Sequence, residues 1–357
     1  MTTIKQTESG YRVDEAFITD WANRVAQAAG ASQAVAQSLA TYLVAGDLMG
    51  FRTHGLLRLR YNVQCLEDGR ARREGSPRVL SQRRATQLWD ADLLPGPYVM
   101  PLAIDAACEM AEQCGTGTVV VRRSQHVAAL AVYLEQAVER GFLVQLMAAT
   151  PAQSVVAPFG AKSAWFSPNP FAIGAPALDH PVLFDVSLSM TAAGKIRTAI
   201  AEERDLPYAA LITPKGDYSV DARTFTASPP SVIASLGGEM LGYKGTGLNL
   251  FSEIWTLALS NYGRADANAS EGDANTSWIQ VIDPSAFTDL DAFKQQVQAQ
   301  VDGIVATTPI DPAKPVRVPG SGALATREQQ LVAGIDYSNA VWKQLQWCAE
   351  RYNVPLG

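Results

Sequence analysis

The stretch TVVVRRSQHVAALAVYLEQAV, Thr118–Val138, changes its period in the middle. Thr118 to Val121 is a β-branched run with the composition of a strand. After it, apolar residues recur at helical spacing through Val127, Leu130, Leu134 and Val138, until Arg140-Gly141 stops the pattern. The spacing therefore predicts that a strand hands over to a helix N-terminus at His126. Backbone donors there attract anions, and an imidazole is suited to exchanging a proton. A structural residue at a helix start is the other reading of this histidine.

The rest of the chain bounds what that histidine could do. A length of 357 residues allows a sizeable core and predicts two lobes. Hydrophobic residues are 47% and charged residues 18%, as in a folded globular protein. The net charge of −6 offers no electrostatic footprint for nucleic acid or for an anionic membrane, so an anionic substrate must be met by locally placed cations. Cys65, Cys108, Cys114 and Cys348 show neither CxxC spacing nor a disulfide framework and are expected to be reduced thiols. The opening MTTIKQTESG lacks an apolar leader core, and no apolar run approaches the ~18 residues of a membrane span. A soluble, cytoplasmic protein is expected.

The N-terminal part opens as a helical pair. Asp14 to Ala29 carries Phe17, Ile18, Trp21, Val25 and Ala28 on one face and ends at Gly30; Ser32 caps a second helix with Val35, Leu39, Tyr42 and Leu43 inward. That helix runs into Gly46–Arg58, where His54 and arginines stand beside glycines that let the backbone turn. A helical turn from Tyr61, a strand at Ala85–Trp89, the loop Leu94-Pro95-Gly96-Pro97 and a helix from Pro101 to Cys114 capped by Gly115 are expected next. Strands follow at Phe142–Met147, Phe171–Ala175 and Val182–Val186. Ser189–Glu203 reads as helix, Gly237–Gly247 as a glycine-rich loop entering a helix over Leu248–Asn261, and Trp278–Ile282 as strand. A helix over Phe287–Ile304 and a tail helix through Trp342 and Trp347 close the chain.

Of the three histidines, His180 lies in the turn Leu178-Asp179-His180-Pro181 and reads as a surface residue; His54 and His126 are the chemical candidates. Thr53 beside His54, and Ser124 and Gln125 beside His126, could fix their tautomers. No HExxH or His/Cys cluster supplies metal-ligand spacing, and no GxSxG elbow marks a serine hydrolase. Proton transfer by histidine, with Arg58 clamping a carboxylate, is the chemistry left. Gly237–Gly247 with Lys244 matches neither the P-loop nor the dinucleotide fingerprint. Asp185 is either a satisfied strand-end carboxylate or a partner of the site.

In this order the pieces resemble the malate/L-lactate dehydrogenase family. Asp47-Leu48-Met49-Gly50-Phe51-Arg52-Thr53-His54-Gly55-Leu56-Leu57-Arg58 is similar to its DxxGxxSHGxxR, with threonine for serine. Ser124–Ala129 (SQHVAA) is similar to its SxHF(G/A)A, and Ser167–Pro176 (SPNPFAIGAP) to its GTNPxAxxxP. Asp185, Ser189 and Gly194-Lys195 fit a DxxxS strand end followed by GK, and Gly242–Leu248 fits GxKGxxL.

The resemblance implies an α/β fold that is the family's own and not a Rossmann fold. A largely antiparallel NAD(P)-binding domain would span residues 117–275, and residues 1–116 and 276–357 would combine into a helical substrate and dimerisation domain. It implies a homodimer using NADH or NADPH on a small carboxylate substrate. His126 would take the acid/base role, with Asp185 nearby; Thr53, His54 and Arg58 would anchor substrate, His54 assisting the chemistry. Asn169, Asp185, Lys195, Lys244 and Gly245 fall at cofactor-facing motifs. The SxHxAAL and VVxPxGA patterns are nearest to cyclic imino acid reductases.

Three departures stand near this site. Thr53 adds a methyl, Ala149 stands where many relatives have asparagine, and Pro168 removes a hydroxyl and an N–H before Asn169. An altered substrate would follow from them; so would a weakened member that binds a nucleotide or metabolite without turnover.

Overall fold

The computed structural model describes residues 4–265 and 273–357. Strands β1 (Ile4–Thr7) and β2 (Gly10–Val13) lead into helices α1 (Glu15–Ala28) and α2 (Gln33–Leu48). The carboxylate of Asp14 accepts from Phe17 N–H at 3.1 Å, and Ser32 Oγ from Val35 N–H at 3.4 Å, so both expected caps are made. Next come α3 (Leu59–Asp68), β3 (Arg78–Arg83), β4 (Thr86–Asp90), α4 (Gly96–Cys114), β5 (Thr116–Ser124), α5 (Ala131–Val138) and β6 (Leu143–Ala149). After β7 (Val156–Ala157), β8 (Pro170–Ala175) and β9 (Val182–Ser187) the chain forms α6 (Ala193–Ala201), β10 (Leu211–Ile212), β11 (Tyr218–Ser219), β12 (Val232–Ala234) and α7 (Gly238–Glu253). It finishes with β13 (Asn275–Ile282), α8 (Leu290–Val305), α9 (Ser321–Ala333), β14 (Ile335–Ser338) and α10 (Asn339–Tyr352).

Among the described residues the main sheet has seven strands in the order β3-β4-β5-β13-β6-β8-β9. Every pair is antiparallel except β4 with β5, which sets the fold apart from a parallel, doubly wound sheet. The sheet draws β3 and β4 from before residue 117, and β13 begins at residue 275 and continues to Ile282. On one face, Val119, Val121, Leu146, Ile279 and Val281 join α1, α2, α4 and α5 in the large core. A separate core of Val156, Phe166, Ile196, Ala199, Leu206, Leu211 and Ile233 lies under α6 and the small sheet β11-β10-β12-β7. The chain ends meet in a third sheet, β1-β2-β14.

Five expectations need correction. The helix after His126 begins only at Ala131. The amides that would open it earlier are spent on side chains: Val127 N–H donates to Asn275 Oδ1 at 3.2 Å and Ala128 N–H to His126 Nδ1 at 3.1 Å, with Ala128 at φ 60°. The fourth helix starts at Gly96, with Pro97 in its first turn and Pro101 inside it. Gly237–Gly247 is no loop but the opening of α7. Gly245 lets that helix lie on the backbone, because a Cβ there would stand 2.2 Å from the Leu236 carbonyl oxygen. Residues 189–192 are not helical, since Ser189 bridges to Ser235, and the tail helix is divided by β14.

Candidate active site

The turn between α2 and α3 is built around a buried carboxylate. Asp47, 1% exposed, accepts from Leu56 N–H at 2.8 Å and from the Tyr337 hydroxyl at 3.1 Å. Gly55 must be glycine for this, because a Cβ would stand 2.0 Å from Asp47 Oδ1. Burial pushes the Asp47 carboxyl up to about 7, against the Leu56 amide, Arg52 and Tyr337, which favour its charge. Pinned in this way, the turn presents Thr53, His54 and Arg58 on one side. Thr53 Oγ1 is 2.9 Å from His54 Nδ1.

His126 comes to meet them from the end of β5. Its loop is pressed against the start of α4, where a Cβ on Gly96 would lie 2.5 Å from Val127 Cα and 2.6 Å from the His126 carbonyl oxygen. Its Nδ1 lies 3.1 Å from the Ala128 amide nitrogen, so a backbone donor faces that side of the ring. Arg58 Nη2 stands 3.1 Å from Nε2 of the same ring. A carboxylate or carbonyl oxygen placed beside both atoms would accept from the Arg58 guanidinium and, when the ring is protonated, from Nε2 as well. The His54 and His126 rings stack at 5.6 Å and 23°. Burial first, then Arg58, holds His54 down at about 4. Burial, then Arg58, then His54, holds His126 well below the ordinary imidazole range, so both rings are neutral at pH 7 in the free protein.

Among the described residues Arg58 has one carboxylate near it, Asp273 at 3.9 Å, and it stands 5.9 Å from the Tyr61 ring centroid. Burial lowers the Arg58 guanidinium, while Asp273 and Tyr61 raise it and Arg197 on α6 lowers it. The α6 helix reaches the turn directly, since a Cβ on Gly194 would lie 2.9 Å from Thr53 Cγ2.

The structure therefore brings Thr53, His54, Arg58 and His126 together. Asp185 is held elsewhere in the same region: its Oδ2 accepts from Ala131 N–H at 2.8 Å, which ties β9 to the start of α5, and burial raises its carboxyl to about 6. Asn169 is fully buried and its amide donates to Asn249 at 3.0 Å and Glu253 at 3.2 Å, so its side chain is absorbed in an internal network. Gly245 serves the approach of α7 to Leu236, whereas Lys195 and Lys244 are exposed on α6 and α7.

Sequence reasoning passes over Gly96, Asp273 and Asn275. Asn275 links the halves of the site, accepting from Val127 N–H and donating to Thr150 Oγ1 at 2.7 Å. Only the Pro95-Gly96-Pro97 punctuation hinted at a close backbone approach, and nothing local marked the other two.

A non-Rossmann sheet beside a His–His–Arg cluster defines a class, and comparison with known proteins agrees. The malate/L-lactate dehydrogenase family profile matches residues 13–346. This chain belongs to that family of NAD(P)-dependent oxidoreductases. It is 27% identical to malate dehydrogenase of Pyrococcus horikoshii over 97% of this chain and 99% of that one. The solved structure of that enzyme superposes with a TM-score of 0.87, covering 99% of this chain and 97% of the other at 26% identity. L-lactate dehydrogenase of Cupriavidus necator is 26% identical over 90% of this chain and 92% of its own. The fold is shared with Δ1-piperideine-2-carboxylate reductase of Pseudomonas syringae pvar. tomato, with a TM-score of 0.83 at 24% identity over 95% and 99% of the two chains.

Proposed function

We propose that this chain reduces a small 2-oxo acid or cyclic 2-imino acid, whose C=O or C=N adjoins a carboxylate, or oxidises the corresponding 2-hydroxy acid. The observation that carries the reading is the 3.1 Å approach of Arg58 Nη2 to His126 Nε2, which sets a cation beside the nitrogen that moves the proton. The oxygen or nitrogen being reduced fits beside His126 Nε2, and Arg58 takes the adjacent carboxylate, fixing the orientation of the acid. In reduction the protonated imidazolium of His126 gives its Nε2 proton to the heteroatom and is left as the neutral ring; in oxidation the neutral ring takes that proton back on Nε2. His54, stacked on the ring, and Thr53, on His54, hold that geometry.

The residues present fit a nicotinamide dinucleotide. The α6 helix opens at Ala192 with no side-chain cap, so its first amides are available to a phosphate; Gly194 leaves no room for a side chain there, and Lys195 is exposed alongside. When bound, the nicotinamide supplies or takes up the hydride. NADH and NADPH both suit this donor set. Asp185 would steady the start of α5 beside the cofactor, Lys244 would face it from α7, and Asn169 and Gly245 would shape its site from within.

The reading extends to a cytoplasmic homodimer, with residues 117–275 holding cofactor and the two chain ends forming the substrate and dimerisation part. Helix α7 and the helical turn that follows it support the second copy: Met240 is 84% exposed, Phe251 56% and Trp255 40%, apolar surface that association would cover.

The test is a turnover screen with NADH and NADPH against pyruvate, oxaloacetate, ureidoglycolate-type acids and cyclic imines. Turnover of at least one, reduced in the His126→Ala variant, supports the proposal. Tight cofactor binding with no turnover on any would replace it with a nucleotide-binding role.

A further inference from the structure

We propose that Gln330 is a positioning residue for the reaction given above: from α9 it sets the turn that presents Thr53, His54 and Arg58 to the substrate. The role deepens the function proposed above and rests on it.

Gln330 is 6% exposed, and a buried amide needs partners for its donors and its acceptor alike. Its Nε2 donates to the Asp47 carbonyl at 3.0 Å and to the Leu48 carbonyl at 2.7 Å, both in the last turn of α2, where a helix runs out of its own amides. Its Oε1 accepts from Arg52 Nη2 at 2.8 Å, and Arg52 Nη1 donates to the Asp336 carbonyl just before Tyr337. Carbonyls on one side and a guanidinium on the other decide which end of the amide carries its N–H groups. The constraint then passes along the backbone to the histidine, because Phe51 N–H donates to the Gly46 carbonyl at 2.7 Å and His54 N–H to the Phe51 carbonyl at 2.8 Å.

Helix α9 is seated for this task. Thr326, Arg327 and Gln330 share one helical face. Thr326 packs at the turn, where a Cβ on Gly50 would lie 3.7 Å from its Cγ2, and Arg327 is ion-paired with Glu135 on α5, the helix that follows His126. One face of α9 therefore touches both segments that carry the site. The Asp47 carboxylate secures the far end of the turn at Leu56, and Gln330 secures the near end at Asp47, Leu48 and Arg52. Without Gln330 the turn is tied at one end, and a displacement of about 1 Å in groups that orient a substrate costs up to roughly 100-fold in rate.

The experiment compares wild type with Gln330→Met, which keeps the length and removes every hydrogen bond, and Gln330→Glu, which keeps the acceptor for Arg52 and loses both donors. Kinetics use pyruvate, oxaloacetate and a cyclic imino acid with NADH or NADPH, at a temperature where circular dichroism shows all three proteins folded. Gln330→Met should lower kcat/KM by roughly 10- to 100-fold with the cofactor Kd unchanged, and Gln330→Glu should recover part of the loss. A second readout needs no turnover. The chain has three histidines, so in histidine-labelled protein the ring NMR signals of His54 and His126 should move in Gln330→Met, while that of the exposed His180 stays in place. A kcat/KM within about two-fold of wild type, an equal loss of cofactor affinity, or unmoved His54 and His126 signals would overturn the proposal. If Gln330→Met does not fold, Gln330→Glu is held to the same criteria. If wild type turns over no acid, the oxidoreductase reading fails, and the histidine signals still decide whether Gln330 sets the turn.

Discussion

The imidazoles of His54 and His126 lie stacked 5.6 Å apart under the field of a single guanidinium, that of Arg58. Each ring is driven to its neutral form, and the charge on one would oppose charge on the other. The pair is therefore asymmetric in use: His126 carries the exchangeable proton and His54 tunes it. Replacing His126 by Asn should lower kcat by about 10²- to 10⁴-fold, the usual range for a positioned acid/base. Replacing His54 by Asn should shift the apparent pKa in the kcat/KM profile upward, since one of the groups holding His126 down is gone. Stopped-flow or steady-state kinetics over pH 5–9 read both, and an unmoved pKa in His54→Asn would remove the tuning role.

Anion binding should bring a proton with it. In the free protein His126 is neutral because of burial, Arg58 and His54; a carboxylate set against Arg58 cancels part of that field and lets the ring rise toward its ordinary range. Calorimetry of an unreactive 2-oxo acid analogue such as oxamate, in buffers of different ionisation enthalpy, should show net proton uptake that grows as pH falls toward 6. Proton release would contradict the arrangement. For the same reason reduction should gain rate as pH falls, while oxidation should hold its rate until the depressed pKa is reached.

Gly55→Ala should damage the site more than the fold. The added methyl would overlap Asp47 Oδ1, so the turn carrying His54 and Arg58 must shift. Overpacking of this kind costs roughly 1–3 kcal/mol, readable as a lowered denaturant midpoint. Activity should fall well beyond what that loss of folded protein explains; a variant with normal kcat/KM would show that the turn tolerates displacement.

Asp47→Asn should change the pH dependence of stability. A carboxyl held at about 7 in the folded chain keeps a proton that the unfolded chain, with its ordinary value of 3.8, has released. Its contribution is fully present below that value and is lost as pH rises through 7; the ceiling is on the order of 4 kcal/mol. The asparagine variant should therefore lose less stability than wild type between pH 5 and 8, measured by chemical unfolding. A parallel pH dependence in the two proteins would mean that Asp47 stays charged in the fold.

Much of this was legible in the sequence where local chemistry and tertiary demand agree. Asp14 and Ser32 announced α1 and α2, and the β-branched run before His126 announced β5, because caps and alternation act within a few residues. The glycines at the start of α7 were misleading. Their helix propensity cost, roughly 1 kcal/mol each, argues for a loop, but Gly242 and Gly245 are needed where Phe159 and the Leu236 backbone come close. The strands β1, β2 and β14 were silent because four residues carry too little periodicity and their partners are remote in sequence. In the site, His54, Arg58 and His126 stood out by residue type. The groups that aim them, Asp273 and Asn275, are ordinary residues whose function exists only once the chain has folded.

The hydroxyl of Tyr337 reaches Asp47 across 290 residues of sequence. On a translating ribosome the turn bearing His54 emerges long before β14, the strand that supplies its last hydrogen bond. A nascent chain carrying His54, His126 and Arg58 thus still lacks a fastened site, and competence arrives only once β14 has been made. Partial chains released early would hold the reactive side chains without the geometry to use them.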